Sequence, residues 1–174
     1  MLPLASSELV AVRQATLAVE PSVREYLSFR VGAEEYCIDI LRVQEIRSYE
    51  APTRLAGAPS TLSGVINLRG VIVPIFDLRL QMRAAAAATT DASMVVIVLS
   101  LDGQVIGTVV DSVSDVVELS PDQIKPAPKL RHSIGPDHLV GIAPIDSPLG
   151  GRMLIVLDIA AMMSSPDVGL AMAI

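Results

Sequence analysis

Apolar and polar residues alternate along much of this chain, beginning near residue 26. Leu27, Phe29 and Val31 are separated by polar residues, which is the pattern of a strand with one face buried and the other solvated. A polar stretch over 32–35 follows, and the alternation resumes over 36–40. The pattern predicts an antiparallel hairpin at this point of the chain.

Further short strands are predicted along the rest of the chain by the same criteria. Asp102-Gly103 indicates a tight hairpin turn, because glycine accepts the positive φ that such turns require. Pro74 cannot donate a ladder hydrogen bond, so its strand is expected at a sheet edge or a bulge. The predicted elements are strands over 43–46, a hairpin over 64–76, strands over 94–99, 104–110 and 113–119, strands over 139–145 and 153–157 joined through Gly150-Gly151, and a short helix over 158–163 with Asp158 as its N-cap.

Two short residue patterns each occur twice along the chain, in the same order. The spacing over 40–46, one acidic residue between apolar ones, returns over 110–116, and residues 73–78 parallel residues 154–159. Chance similarity among valine-rich strands is the alternative, but the matched order of two motifs favours a duplication. The sequence therefore predicts an all-β chain of two similar units of roughly 60–70 residues, each with several short strands. Two lobes fused in tandem leave a groove between them, where binding sites are common.

The composition excludes several classes of protein. Of the 174 residues, 51% are hydrophobic and 18% are charged, so the chain can bury a core and is not globally disordered. Its net charge of -6 repels phosphate backbones, so nucleic acid is not expected as a partner. The apolar runs are far shorter than the roughly 20 residues that a membrane span needs. The N-terminus also lacks the pattern of a signal peptide, so a cytoplasmic protein is expected.

The candidate catalytic and metal-binding residues form no recognisable site. His132 and His138 are the only histidines, and no cluster of histidine, cysteine or carboxylate residues has the spacing of metal ligands. Cys37 is the single cysteine, and it is expected to fill space in a strand rather than to react. No nucleophile has a plausible local base. We therefore expect no catalytic residues, no metal and no cofactor, and a small β-barrel enzyme remains the weaker hypothesis.

Two charged residues stand out among apolar neighbours. Arg69 lies in the turn of the hairpin over 64–76, and Glu45 lies between apolar residues of a short strand. One interpretation is that both are surface charges of little consequence, since exposed ion pairs contribute little to stability. The other is that they meet and shape a contact surface. The pattern alone favours the first interpretation.

Four stretches, taken together, resemble the CheW-like family of chemotaxis coupling proteins. The hairpin stretch carries the N-L-R-G-x-I-x-P-x-x-D-L core, which is shared with the regulatory domain of the kinase CheA and with CheV, so by itself it marks the superfamily. A chain of this length without kinase or receiver sequence points to the coupling proteins themselves. The four stretches are residues 36–46, 64–79, 109–116 and 123–128.

The resemblance implies two five-stranded β-barrel subdomains, packed on a shared core, with a few short helices. It also implies a non-catalytic adaptor that binds the cytoplasmic helical tips of chemoreceptors and the regulatory domain of the histidine kinase CheA, without nucleic acid and without insertion into the membrane. The expected organisation is a variable leader over 1–22 and a family domain over 23–164, comprising a first barrel over about 23–83, a linker over about 84–91, a second barrel over about 92–157 and the helix over 158–163, followed by a tail over 165–174.

The resemblance also assigns a receptor-facing surface to this chain. It favours the second interpretation of Glu45 and Arg69, in which the two residues pair and shape a contact surface. The kinase contact is expected mainly on the second lobe, with its residues unassigned. A paralogue serving a pilus or other chemosensory system, or a competitor that binds receptors without activating the kinase, remains open. The receptor-binding residues that the resemblance implies are Val43, Glu45, Gly64, Arg69, Gly70, Val95 and Val116.

Overall fold

The computed structural model describes residues 22–82, 92–126, 138–148 and 150–164. The predicted linker and tail, and all but one residue of the predicted leader, lie outside these ranges. The described chain consists mostly of strands, as the sequence predicted. The strands are β1 (Arg24–Val31), β2 (Glu34–Asp39), β3 (Val43–Ser48), β4 (Leu62–Leu68), β5 (Val71–Asp77), β6 (Val95–Leu101), β7 (Gln104–Val110), β8 (Ser112–Leu119), β9 (Leu139–Ser147) and β10 (Gly150–Leu157), and the two short helices are α1 (Leu78–Gln81) and α2 (Ile159–Met163).

The ten strands form two five-stranded sheets, which confirms the predicted fold class. The first, called sheet A, has the order β8-β1-β2-β10-β9, and the second, called sheet B, has the order β3-β6-β7-β5-β4. Neighbouring strands pair antiparallel except at one position in each sheet, where β10 runs parallel to β2 and β5 runs parallel to β7. The two sheets therefore share one connectivity.

The two sheets do not follow the two halves of the sequence, which were expected to form one unit each. Sheet B combines β3, β4 and β5 with the hairpin β6–β7 from the second half of the chain, and sheet A combines β8, β9 and β10 with the hairpin β1–β2 from the first half. The halves thus exchange hairpins. Periodicity specifies which face of a strand is buried but not which strand lies beside it, so the sequence pattern could not reveal this exchange.

The internal repeat occupies equivalent positions in the two sheets. Val43 of β3 lies opposite Leu99, and the register shifts by one residue before Glu45. In the same way Val113 of β8 lies opposite Phe29, and the register shifts between this pair and the next one, Val116 opposite Leu27. The repeated sequence motif therefore encodes an edge strand with a bulge at the same place in each sheet.

One hydrophobic cluster receives side chains from both sheets. Phe29 and Tyr36 of sheet A stack with ring centroids 6.0 Å apart, and they share the cluster with Ile97 and Leu99 of sheet B and with Met162 of α2. Fully burying a side chain of this size stabilises a fold by about 1.5–3 kcal/mol. The core therefore fixes the two sheets against each other.

Of the two glycine-containing turns that the sequence predicted, one is confirmed. Asp102 and Gly103 both have positive φ (49° and 83°) between β6 and β7, as a two-residue type I′ turn requires. The glycines at 150 and 151, predicted as a turn, instead begin β10 and pair with residues 147 and 146.

Pro74 lies in an interior strand rather than at a sheet edge. It faces Val65 of β4, beside the register shift in that strand, while the ladder to β7 begins only at Ile75. Because no ladder partner faces Pro74 on that side, its missing N–H leaves no bond unmade.

Candidate partner-binding site

Glu45 and Arg69 lie together, as expected. Glu45 is on the edge strand β3, and Arg69 Nη2 donates a hydrogen bond of 2.7 Å to Glu45 Oε2 from the turn between β4 and β5. On the other side of the carboxylate, Arg47 Nη1 donates to Oε1 at 3.2 Å. The hydrogen bond from Arg69 is the main cause that holds the pKa of Glu45 below its usual range. The three side chains carry a formal charge of +1 in an otherwise acidic chain.

The backbone of Arg69 is in the left-handed region. Its φ is 52°, followed by a φ of 88° at Gly70, and Asn67 Oδ1 accepts a hydrogen bond of 2.8 Å from the Gly70 N–H. The first central position of such a turn favours asparagine, aspartate or glycine, because a larger side chain is strained there. An arginine at this position, with its side chain 65% exposed, indicates that the guanidinium has a use outside the turn.

The ion pair spans the open side of sheet B. β3 and β4 are the two edge strands of that sheet, and the pair joins β3 to the turn that follows β4. A short link between the two edges requires the sheet to curve until they approach each other. The Glu45–Arg69 pair therefore links the two edges of the sheet and displays a cation on this surface.

Sheet A has a corresponding ion pair at the equivalent edge strand. Asp115 of β8 occupies the position of Glu45, and Arg152 Nη2 donates to it at 3.0 Å and to Glu35 Oε2 at 2.7 Å. Ser28 Oγ donates to the same Asp115 oxygen at 2.5 Å. The hydrogen bonds from Arg152 and then from Ser28 lower the pKa of Asp115. Because two carboxylates hold Arg152, its guanidinium is less available to a partner than that of Arg69.

The other predicted receptor-binding valines lie on β3, β6 and β8. Val43 and Val95 are half-buried and pack against the shared core, and Val95 lies opposite Ser48, at the far end of β3 from Val43. Val116 is exposed on β8 in the other sheet, beside Asp115. The structure thus brings together Glu45, Arg69 and the adjacent Gly70, whereas Val43 and Val95 pack against the shared core cluster and Val116 is on sheet A.

Gly64 is buried and has a packing role. A Cβ placed on it would lie 2.2 Å from the carbonyl oxygen of Thr53, because Thr53 pairs with Val65 through two backbone hydrogen bonds along the edge of β4. Gly141 is in the same situation in sheet A, where a Cβ would lie 2.5 Å from the carbonyl oxygen of Lys125. In both sheets a glycine admits an extra segment that covers part of an edge strand.

We expect Gly64→Ala to lower the free energy of unfolding by about 2–4 kcal/mol, because it adds backbone strain to a main-chain clash. Gly57→Ala is the matched control, since Gly57 also has positive φ but nothing lies within 4 Å of its Cβ position. That control should lose only about 1–2 kcal/mol of unfolding free energy, which is the cost of a Cβ on a residue with left-handed backbone angles. Denaturant titration measures both, and an equal loss in the two variants would contradict the packing role.

Several polar contacts were not foreseen from the sequence. Arg47, two residues beyond Glu45, points to the same carboxylate, and strand periodicity could have suggested it. Arg79 is a buried cation: its Nε and Nη2 donate to the two oxygens of Asp77 at 3.0 and 2.8 Å, and its Nη1 lies 3.5 Å from Asp111 Oδ1. Asp111 Oδ2 in turn accepts the Gly32 N–H at 2.7 Å. This network joins α1 of sheet B to the β1–β2 turn of sheet A.

Cys37 fills space in the core, as the sequence predicted. It is fully buried, and burial raises the pKa of its thiol to about 12. Because the thiolate is the reactive form, we expect native protein to resist a maleimide reagent and guanidinium-unfolded protein to react at once. Mass spectrometry distinguishes the two, and stoichiometric labelling of native protein would contradict the burial.

The described ranges offer neither a metal-binding cluster nor a helix that could span a membrane. Within them, histidine, cysteine and carboxylate side chains form no group of three that could hold a metal ion. None of the helices in that part of the chain has the length and apolar character needed to cross a membrane.

An all-β scaffold that displays a charged residue at a hairpin turn is typical of a protein-binding module. The family model of the CheW-like domain matches residues 25–167. The chain therefore belongs to the CheW-like family of chemotaxis proteins, which are non-catalytic scaffolds.

Similar proteins agree with this assignment. The chemotaxis protein CheW of Klebsiella aerogenes is 47% identical over 154 residues, which cover 88% of this chain and 90% of that protein. The chemotaxis protein CheW of Rhizobium meliloti is 34% identical over 144 residues, which cover 83% of this chain and 90% of that protein. The crystal structure of the scaffolding protein TtCheW from Thermoanaerobacter tengcongensis matches with a TM-score of 0.72 at 26% identity, covering 83% of this chain and 94% of that one.

Proposed function

We propose that this chain is a cytoplasmic chemotaxis adaptor that couples the helical signalling tips of chemoreceptors to the histidine kinase CheA and supports their assembly into arrays. The observation that carries the proposal is the Glu45–Arg69 pair at the open side of sheet B. It joins two residues that the family resemblance assigns to receptor contact, and it accompanies a strained arginine backbone that the turn does not need.

The physical properties of this surface suit a helical partner. Arg69 is already held by Glu45, so it loses less conformational entropy on binding than a free arginine would. The Gly70 backbone is exposed beside it and allows a close approach. Modest contacts of this kind gain strength when many copies act together in an array.

The test is a reconstituted phosphorylation assay. Receptor signalling fragments and CheA are combined with and without this protein, and kinase autophosphorylation is measured. Activation that requires both receptor and this protein is the expected result. Binding to both partners without activation would instead favour a competitor or a member of another chemosensory pathway. The absence of all binding would overturn the adaptor function.

A further inference from the structure

A wide cavity lies at the other end of sheet B from the β4–β5 turn. Its volume is about 630 Å³, which is within the range of about 300–1,000 Å³ that small-molecule sites occupy. Its lining comes from the segment over 49–63, the end of β5 and the helix α1. Because β5 has seven residues and a strand rises about 3.3 Å per residue, the cavity is about 20 Å from that turn.

Arg54 is the cation of this cavity that has no acidic partner among the described residues. Each of the other arginines in the described ranges lies within 4.0 Å of a carboxylate oxygen. Asp77 and Arg79, which also line the cavity, pair with each other. The lining therefore has a formal surplus of one positive charge, in a chain whose net charge is -6.

Three hydroxyl groups accompany the Arg54 guanidinium. Tyr49, Ser60 and Ser63 line the same cavity, and none of the described residues forms a hydrogen bond with their side chains. Hydroxyl and guanidinium groups are the donors that recognise carboxylate and phosphate oxygens, and arginine suits both because its planar fork can donate two parallel bonds. The polar part of the lining therefore matches an anion.

The equivalent end of sheet A differs in size and in charge. Asp158 takes the place of Asp77 in the internal repeat, and the cavity beside it has a volume of about 220 Å³. Two arginines and two aspartates line that smaller cavity, so its formal charge is zero. Because the two sheets share one connectivity, the fold itself does not require the wide cavity or its surplus cation.

We propose that the cavity of sheet B binds a small organic anion. A carboxylate or phosphate group pairs with the Arg54 guanidinium and accepts hydrogen bonds from Ser60 and Ser63. The organic body lies against Leu55 and Leu80, which line the cavity and are 49% and 46% exposed. A cavity of about 150 Å³ already holds a benzene ring, so a body of one ring fits together with its charged group. This site goes beyond the adaptor function and does not depend on it.

The experiment titrates the purified full chain with four probes and follows the backbone amides by NMR. Phenyl phosphate and benzoate each carry a ring and an anion, benzamide is the neutral counterpart of benzoate, and inorganic phosphate lacks the ring. We expect saturable shifts with phenyl phosphate or benzoate, confined to amides of the cavity lining, and the tighter of the two identifies the charged group. Benzamide and inorganic phosphate should bind at least about fivefold more weakly, because each lacks one of the two kinds of contact.

Two substitutions test the assigned residues. Arg54→Gln removes the cation and should weaken binding at least about tenfold, and Ser63→Ala removes one donor and should weaken it about fivefold. Arg24→Gln is the matched control, because Arg24 is a 63% exposed arginine that pairs with Asp39 on sheet A. The control should stay within about twofold of the unmodified protein, since exposed charges far from a site are screened by salt. Thermal melts establish that the variants are folded, and if Arg54→Gln is not, Ser63→Ala decides.

Three results would overturn the site. An equal loss in Arg24→Gln and Arg54→Gln would make the effect one of net charge, and equal binding of benzamide and benzoate would remove the role of the anion. The absence of saturable shifts with every probe would also overturn it. If the same amides then shift with a chemoreceptor fragment or the CheA regulatory domain, the cavity is a protein contact instead. The adaptor function is tested separately by the phosphorylation assay and stands or falls without this site.

Discussion

Arg69→Glu is expected to weaken binding of the receptor fragment at least thirtyfold and to abolish receptor-dependent kinase activation. The substitution replaces the displayed cation with an anion and places it against Glu45, 2.7 Å from the original guanidinium. Its melting temperature should change by no more than about 4 °C, because exposed ion pairs contribute little to stability. Binding calorimetry and a thermal melt measure the two effects separately.

The matched control for this variant is Arg24→Glu. Arg24 is 63% exposed and pairs with Asp39 on sheet A, as Arg69 is 65% exposed and pairs with Glu45 on sheet B. The control should bind normally, so a similar loss there would make the effect one of net charge. Unfolding of Arg69→Glu would show instead that Arg69 serves the fold.

Adding Glu45→Arg to Arg69→Glu should restore part of the lost binding by re-forming the pair with reversed polarity. Full recovery is not expected, because the introduced arginine would lie beside Arg47, which contacts the native Glu45 at 3.2 Å. The same calorimetric titration follows the recovery. A complete absence of recovery would count against direct pairing as the basis of the contact.

The second large effect is expected at Arg79, on stability. Arg79→Met should lower the free energy of unfolding by about 3–5 kcal/mol, because removing one partner of a buried pair leaves an uncompensated charge. The Arg79 side chain is only 4% exposed, and Asp77 beside it is 9% exposed. For a chain of this size each kcal/mol lowers the melting temperature by about 2–4 °C.

A second substitution tests whether the unpaired Asp77 carboxylate causes the stability loss in Arg79→Met. Adding Asp77→Asn to Arg79→Met removes the stranded carboxylate and should recover part of the stability, and asparagine retains the capacity to cap α1. Arg24→Met is the surface control and should change little. Denaturant titration of the set measures the free energies. A loss below about 1 kcal/mol in Arg79→Met would contradict the role of the network.

Local features of the fold could be predicted from the sequence because they depend on neighbouring residues. The alternation of apolar residues and the chemistry of turns and caps predicted three such features correctly. These are the hairpin turn at Asp102-Gly103, the full length of β7, and Asp158 as the N-cap of α2. The assignment of hairpins to sheets could not be predicted in this way. It depends on which strand lies beside which, and valine-rich strands carry little information about their neighbours.

The candidate site was predictable only in part, for the same reason. Glu45 and Arg69 are 24 residues apart, and it was the family resemblance, not the pattern, that placed them together. Gly64 was assigned to the contact surface, but the structure shows that a side chain at this position would clash with Thr53, which pairs with β4 at Val65. The network of Arg79 was missed because its partner Asp111 is distant in sequence and neither residue interrupts a recognisable pattern.

The exchange of hairpins also bears on how the protein is made. When synthesis has reached residue 82, the emerged chain holds β1 to β5, but sheet A then has two of its five strands and sheet B has three. Both partial sheets expose unpaired edges until the second half arrives. Sheet B has all of its strands only when β7 has been made, and sheet A only when β10 has been made, so the first half of the chain can complete neither sheet. These long-range pairings favour slow folding. Chaperone capture of the first half during translation would follow naturally from this order.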